Sequence, residues 1–208
     1  MTAIDPKPTP LLAIVSGPSG VGKDTLLTSL IAEGLPFEWL VNATSREPRP
    51  GEVEGRDYHF FSKEQFEDLI RRGDLLEYAV VHGDYKGVLR EQVEDALASG
   101  RDVILRVDVQ GAATIRQLIP EAVSIFISPE TPDELRDRIA RRGADDGMEQ
   151  RLADATGEIG RVGEFDYLVV NREDSLDEAV ATVRAILTAE KHRIGRQRPV
   201  VPKAASRD

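Results

Sequence analysis

The 208-residue sequence contains no cysteine, so a disulfide framework, a thiolate zinc site and a thiol nucleophile are excluded together. That composition fits a reducing compartment, and the cytoplasm is the expected location. Histidine is almost as scarce: His59, His82 and His192 stand at no metal-ligand spacing. Trp39 is the lone tryptophan and makes no platform for stacking bases. Missing too is any apolar run near the ~20 residues that cross a bilayer, so no membrane partner is expected. The first ten residues carry three prolines and no apolar core, and read as a loose leader over 1–10 rather than a signal. Positive charge is in deficit as well. The 27 Lys and Arg face 37 Asp and Glu for a net charge of −10. General nucleic-acid binding is not expected, since it needs a basic face to neutralise phosphates. Any phosphorylated substrate must therefore meet locally clustered cations.

What is present suits one globular domain with a sizeable core, at 40% hydrophobic and 31% charged residues. Leu11 to Val15 is a continuous apolar run that ends in a glycine-rich turn. After it, Leu26, Leu27, Leu30 and Ile31 recur at helical spacing. The order is strand, loop, helix, with Gly34 as the helix stop. Val103–Val109, Val123–Ile127 and Leu168–Val170 read as further buried parallel strands. Ser62 with Gln65, Thr131 with Glu134 and Ser175 with Glu178 have capping-box spacing.

Between 42 and 90 the pattern changes to short β-like pieces, Tyr58–Phe61 and Leu76–Val81, around one helix over Lys63–Arg72, which predicts an inserted lobe. From Arg138 to Arg151 the chain is charged and punctuated by Gly143 and Gly147, the pattern of a mobile loop. The main domain runs over 11–190. The modestly basic segment 191–208 reads as a solvated, frayed terminus.

The strongest signal is Gly17-Pro18-Ser19-Gly20-Val21-Gly22-Lys23, set between an apolar strand and an amphipathic helix. Glycines let backbone N–H groups turn toward phosphate oxygens, the helix N-terminus adds a favourable dipole, and Lys23 brings a charge to the β/γ-phosphates. The residue after the lysine departs from the usual pattern. A magnesium-binding hydroxyl is expected there, yet it is Asp24, and the hydroxyl comes one place later at Thr25. Asp24 either holds magnesium, directly or through water, or favours the helix N-terminus.

The second constellation is Thr44-Ser45-Arg46-Glu47-Pro48-Arg49-Pro50-Gly51-Glu52, followed by Asp57-Tyr58. Two arginines three apart around a proline can clamp one phosphate by forked hydrogen bonds, with the tyrosine hydroxyl as a third donor. A solvated charged loop is the alternative.

These residues resemble the guanylate kinase family, whose mononucleotide lobe carries a similar Ser-Arg-x-Pro-Arg-x-Gly-Glu run and a following Asp-Tyr. The likeness extends from about Ala13 to Val183. It takes in Leu76-Glu77-Tyr78, Val107 to Gly111, Arg142-Gly143, and Asp166 to Asn171. Asp84-Tyr85-Lys86-Gly87 and Leu105-Arg106-Val107-Asp108 look like the plastid-type branch.

The resemblance implies an α/β P-loop nucleoside monophosphate kinase fold, a parallel sheet flanked by helices, with a GMP-binding lobe over 42–90 and a lid over 138–151. It implies transfer of the γ-phosphoryl group of ATP, carried with Mg2+, to GMP. Arg46, Arg49 and Tyr58 become ligands of the GMP phosphate, Glu52 a support for the arginine loop, and Glu77 the reader of guanine. Asn42, Tyr85 and Lys86 complete the GMP side. Asp108 acts near magnesium and substrate. The P-loop with Asp24 and Thr25 binds ATP and carries the metal, Arg142 and Asn171 sit near adenine, and Lys23, Arg46, Arg138 and Arg151 neutralise the transferring group.

Lys86 stands where many members have a tyrosine, Asn42 and Val88 where they have hydroxyls that assist guanine recognition, and Arg106 where they have an acid. Those changes leave open a related kinase of a sugar phosphate, or a non-catalytic module of the same fold that binds partner peptides.

Overall fold

The computed structural model describes residues 9–81, 83–141 and 148–203. Its centre is a five-stranded, wholly parallel sheet in the order β2-β7-β1-β8-β9. β1 is Leu12–Ser16, β2 Phe37–Trp39, β7 Asp102–Arg106, β8 Val123–Ser128 and β9 Tyr167–Val170. Side chains of β1 alternate between two apolar clusters. Ala13 and Val15 pack with Leu26, Leu30, Val180 and Val183 on one face, while Leu12 and Ile14 pack with Val93, Leu105 and Ile115 on the other. Helices α1 (Lys23–Ala32), α5 (Pro132–Arg141), α6 (Met148–Ile159) and α7 (Leu176–Lys191) feed the first cluster; α3 (Arg90–Ala98) and α4 (Val109–Leu118) feed the second.

A separate four-stranded sheet, in the order β4-β3-β6-β5, is built from β3 (Ala43–Thr44), β4 (His59–Phe60), β5 (Leu75–Val81) and β6 (Asp84–Leu89). Helix α2 (Lys63–Arg72) covers it through Phe66 and Leu69. The expected β pieces around Tyr58–Phe61 and Leu76–Val81 are present. β2, β3 and β6 were not legible, because two or three residues show no period, and Asp84, Lys86 and Gly87 interrupt any apolar pattern in β6.

Several sequence expectations need correction. The strand expected over Val103–Val109 ends at Arg106, and Val109 already opens α4, because the Asp108 carboxylate accepts the Gly111 N–H at 2.8 Å and caps that helix. The Ser62–Gln65 box forms in full. At α5, Thr131 accepts the Glu134 N–H, but Glu134 reaches back to the N–H of Glu130 instead. At Ser175 no side-chain cap forms, and Glu178 faces Arg172 at 3.6 Å. The loop expected over 138–151 is helical at both ends, in α5 and α6; residues 142–147 lie outside the described residues.

The terminus expected to fray is instead docked through residue 203. Lys191 pairs with Asp102 at 2.6 Å, Arg196 donates to the carbonyls of Thr9 and Pro10, Arg198 donates to that of Leu97 at 2.7 Å, and Arg90 donates to that of Pro202 at 2.5 Å. Pro199 is buried, and Val201 packs on the second cluster. The last two residues of the leader are held in this way. The local run of cations resembled a solvated tail because the acceptors are backbone carbonyls far away in sequence.

Candidate active site

β1 runs through the middle of the sheet, so the loop that follows it opens at the carboxyl end of the strands, where α/β sheets place ligands. Gly17 has φ 136°, and a Cβ there would lie 2.1 Å from the Ile127 carbonyl oxygen, so no side chain fits. Gly22, at φ 96°, starts α1 and passes so close to Asn171 that a Cβ would lie 2.7 Å from its Nδ2. Lys23 folds back over this loop and donates to the carbonyls of Gly17 at 2.5 Å and Pro18 at 3.0 Å. Burial lowers the pKa of its ammonium group, against the opposing pull of Glu158 and Asp24.

The Val21 carbonyl takes two donors, Arg138 Nη1 at 2.9 Å and Asn171 Nδ2 at 2.7 Å. Arg138 also pairs with Glu134 and donates to the Asn171 carbonyl at 2.8 Å. Arg138, expected at the transferring group, and Asn171, expected near adenine, therefore both brace the loop. Beside them lies a cavity of about 370 Å³ lined by Gly20, Gly22, Thr25, Arg138, Arg141 and Asn171. Asn171 Oδ1 is buried with no hydrogen-bond partner. Pro18, Ser19 and Gly20 complete the loop, Arg142 lies outside the described residues, and Arg151 is half-buried in the first turns of α6.

Across from the loop, the second sheet carries the arginine motif. Arg46 is forked onto Glu52 by two bonds of 2.6 Å, and Glu52 also accepts the Arg49 N–H at 2.8 Å. The Arg46 bonds hold the Glu52 carboxyl down at about 2. Arg46 lies 4.9 Å from the Tyr58 ring centroid, while the Arg49 side chain is exposed. Alternation along β6 separates two expected neighbours. Tyr85 faces α2, where its ring stacks on Phe66 at 5.1 Å, while Lys86 and Val88 point to the other side. Val88 is buried in the second cluster, and Lys86 is near enough to Lys23 to weigh against its charge.

Glu77 is the buried acid of this half, 6% exposed, with Oε2 unpartnered. An irregularity in the β5–β6 pairing between Leu75 and Glu77 explains its aim: strict alternation would return Glu77 to the α2 side with Leu75, yet Leu76 and Glu77 both face the α4 side, so the bulge redirects the strand. Glu77 then abuts the first turn of α4, where a Cβ on Gly111 would lie 2.8 Å from its Oε2. Burial, and next the nearby Asp108, push the Glu77 carboxyl up to about 8. Asn42 donates through Nδ2 to the Arg106 carbonyl at 2.6 Å and keeps a buried, unpartnered Oδ1.

Asp24 and Thr25 part company. Thr25 lines the 370 Å³ cavity, whereas Asp24, 63% exposed, pairs with Arg106. Two residues not assigned a role from the sequence enter the site. Arg106 closes β7, and Glu158 on α6 lies close to Lys23 and Asp108, its pKa raised chiefly by burial. The helical spacing Arg151, Ala155, Glu158, with Ala155 buried in the first cluster, was a readable signal for Glu158.

A glycine-rich loop between strand and helix, facing an arginine motif and a buried acid across one cleft, is a layout that suits phosphoryl transfer between two nucleotides. The family described as "Guanylate kinase" matches residues 9–190. The chain belongs to the guanylate kinase family. As a member it is a nucleoside monophosphate kinase, phosphorylating GMP to GDP.

A guanylate kinase 2, chloroplastic/mitochondrial, of Oryza sativa subsp. japonica is 45% identical over 91% of this chain and 67% of its own length. A guanylate kinase of Alkalilimnicola ehrlichii is 41% identical over 91% of this chain and 94% of its own. The crystal structure of guanylate kinase from Anaplasma phagocytophilum superposes with a TM-score of 0.78 at 33% identity, covering 92% of this chain and 91% of that one. No helix among the described residues is long and apolar enough to cross a membrane.

Proposed function

We propose that this guanylate kinase binds ATP on the α1–α5 side of the P-loop and GMP between the P-loop and the second sheet, and that Glu77 selects the base. The observation that carries the reading is the buried, unpartnered Glu77 Oε2 at the first turn of α4. Guanine presents N1–H and the N2 amino group side by side as donors, and a carboxylate accepts both. Adenine presents a lone pair at N1 and leaves the ionised acid unpaired, a mismatch of several kcal/mol for buried polar groups at about 1–3 kcal/mol each. Burial keeps Glu77 protonated near neutral pH, so the two guanine donors release its proton as they bind.

On the donor side, the cavity beside Thr25 and Asn171 suits adenine, whose exocyclic amine can donate to the orphan Asn171 Oδ1. Lys23 exchanges its carbonyl partners for phosphate oxygens. Arg138 and Arg151, flanking the expected lid over 138–151, add positive charge, and Arg142 is assigned with Asn171 to adenine. Arg46, Arg49, Tyr58 and Lys86 take the acceptor phosphate, with Glu52 holding the Arg46 fork. The domain limits, 11–190 with an acceptor lobe over 42–90, follow from the same reading, as does a reducing, cytoplasmic setting for a cysteine-free chain.

The described residues include no group of three or more metal-ligating side chains. Magnesium usually keeps several waters and takes one or two carboxylates plus substrate phosphates. Asp24 and Glu158 near Lys23, with Asp108 near Glu158, fit that requirement, and Asp24 or Thr25 would supply the P-loop ligand. When bound with ATP, the ion neutralises phosphate oxygens. Phosphoryl transfer otherwise needs alignment of the two phosphates and exclusion of water, which closure of the two sides supplies.

A coupled ADP-release assay with GMP, AMP and a sugar phosphate tests the reading. ADP release with GMP, and at least about a hundredfold less with AMP, is expected. Preference for the sugar phosphate would overturn it.

A further inference from the structure

Arg106 is a cation that the fold has gone to some length to bury. Its side chain is 11% exposed, at the end of β7, where its backbone carbonyl is held by Asn42. The guanidinium lies over two rings, Trp39 at 5.6 Å and Tyr58 at 5.0 Å. Among the described residues its acid partner is Asp24, which is itself 63% exposed. A well-hydrated carboxylate is poor compensation for a desolvated guanidinium, and stacking on two rings offsets only part of the loss.

The surroundings raise the same question. The Tyr58 ring sits between two guanidinium groups, since Arg46 approaches it at 4.9 Å. Arg106 and Lys86 both act as like charges on Lys23. In a chain of net charge −10, four cations drawn from β3–β4, β6, β7 and the P-loop converge on one cleft. Glu52 offsets Arg46, and Glu158 with Asp24 offsets part of the charge on Lys23; an incoming polyanion relieves the repulsion that remains.

We propose that Arg106 is a further ligand of the acceptor phosphate, with Asp24 as the counter-ion that holds it in position until phosphate arrives. This rests on the acceptor-site reading above and adds to it a residue outside the arginine motif. A planar fork lying over two rings has less rotamer freedom to lose on binding than a solvated one. It also brings its charge from the rigid central sheet, whereas Arg46 and Arg49 arrive on the second sheet. On this reading, Asp24 serves the acceptor side, through Arg106.

The test is calorimetric titration of the full chain with GMP and, separately, with guanosine, in buffer containing a chelator and no ATP. The ratio of the two affinities isolates the phosphate. Arg106→Gln should narrow the GMP-over-guanosine ratio about tenfold or more, the size of one lost forked, charged hydrogen bond, and leave guanosine affinity unchanged. Arg106→Lys keeps the charge and the fold, and should narrow it by a smaller factor. Equal weakening of GMP and guanosine in both variants would assign Arg106 a purely structural role and overturn the proposal, as would an unchanged ratio. Arg49→Ala is the control for the map. If it narrows the ratio and the Arg106 variants do not, only the Arg106 proposal fails; if none of the three does, the acceptor-site reading fails with it.

Discussion

On the donor side of the cleft, seven consecutive residues make most of the site, and Lys23 and the Val21 carbonyl among them are already engaged, while Asn171 Oδ1 beside them is left unpartnered. Lys23 rests on two carbonyls, and the Val21 carbonyl takes Arg138 and Asn171. On the acceptor side the groups come from β3, β5, β6, β7 and α4, and several are left in costly states. Glu77 is buried without a partner for Oε2, Asn42 without one for Oδ1, and Arg106 faces only an exposed acid. The difference separates binding from selection. A triphosphate is held by main-chain geometry that any nucleotide satisfies, whereas a base is chosen by buried groups that only one partner satisfies.

Removing the donor-side charge should have the largest effect. Lys23→Ala is expected to cut turnover by about 10³-fold or more, the scale of losing a preorganised charge at the transferring group. The fold should persist, as judged by an unchanged circular dichroism spectrum, because Lys23 bonds only to loop carbonyls. Next is Arg49→Ala on the acceptor side. With an exposed side chain, it should raise KM for GMP about tenfold and leave KM for ATP within twofold. Equal changes in both would erase the division between the two halves.

Two smaller effects concern stability. Ending the chain at Lys191 removes the Arg196 and Arg198 bonds together with Pro199 and Val201. A fall in Tm of roughly 5–10 °C is expected from a few lost buried bonds. The second is a change of slope. With its folded pKa near 8 against 4.5 in the unfolded chain, Glu77 makes stability fall as pH rises through that window, since the unfolded state then holds fewer protons. Glu77→Gln should flatten the Tm–pH curve between about 4.5 and 8, and gain on wild type most at the alkaline end.

The same contrast explains what could be read from the sequence. The P-loop was legible because its chemistry lies in consecutive residues between a strand and a helix, and each glycine there has a steric reason visible in the spacing. The main strands and the last helix were legible from their apolar periods. The second sheet was half-hidden, since β3 has only two residues and β6 is interrupted by Asp84, Lys86 and Gly87, so both are held by pairing that no period announces. Glu77 was found only through the family resemblance. Its aim depends on a bulge at Leu76 that no alternation pattern signals, and on the missing side chain of Gly111 thirty-four residues away.

Arg106 stood out in the sequence as a departure without a role, and its pairing with Asp24 joins positions eighty-two apart. The resemblance put Tyr85 and Lys86 together on the GMP side, and strand alternation sends them to opposite faces. The docked terminus was unreadable for a different reason. Its cations bind carbonyls, and carbonyls leave no mark in a sequence.

The most direct measurement of the central claim is the kcat/KM for GMP and for AMP across pH 6.5 to 8.5, in wild type and Glu77→Gln. A carboxyl that must lose its proton to accept the guanine donors gives wild-type efficiency with GMP that rises toward pH 8 and then levels. Glu77→Gln should lose that rise, fall by roughly two orders of magnitude with GMP, about 3 kcal/mol at a charged hydrogen bond, and narrow the GMP-over-AMP ratio. Wild-type efficiency, the same pH profile and an unchanged ratio in Glu77→Gln would contradict the account and move base selection elsewhere, with the orphan Asn42 Oδ1 the first place to look.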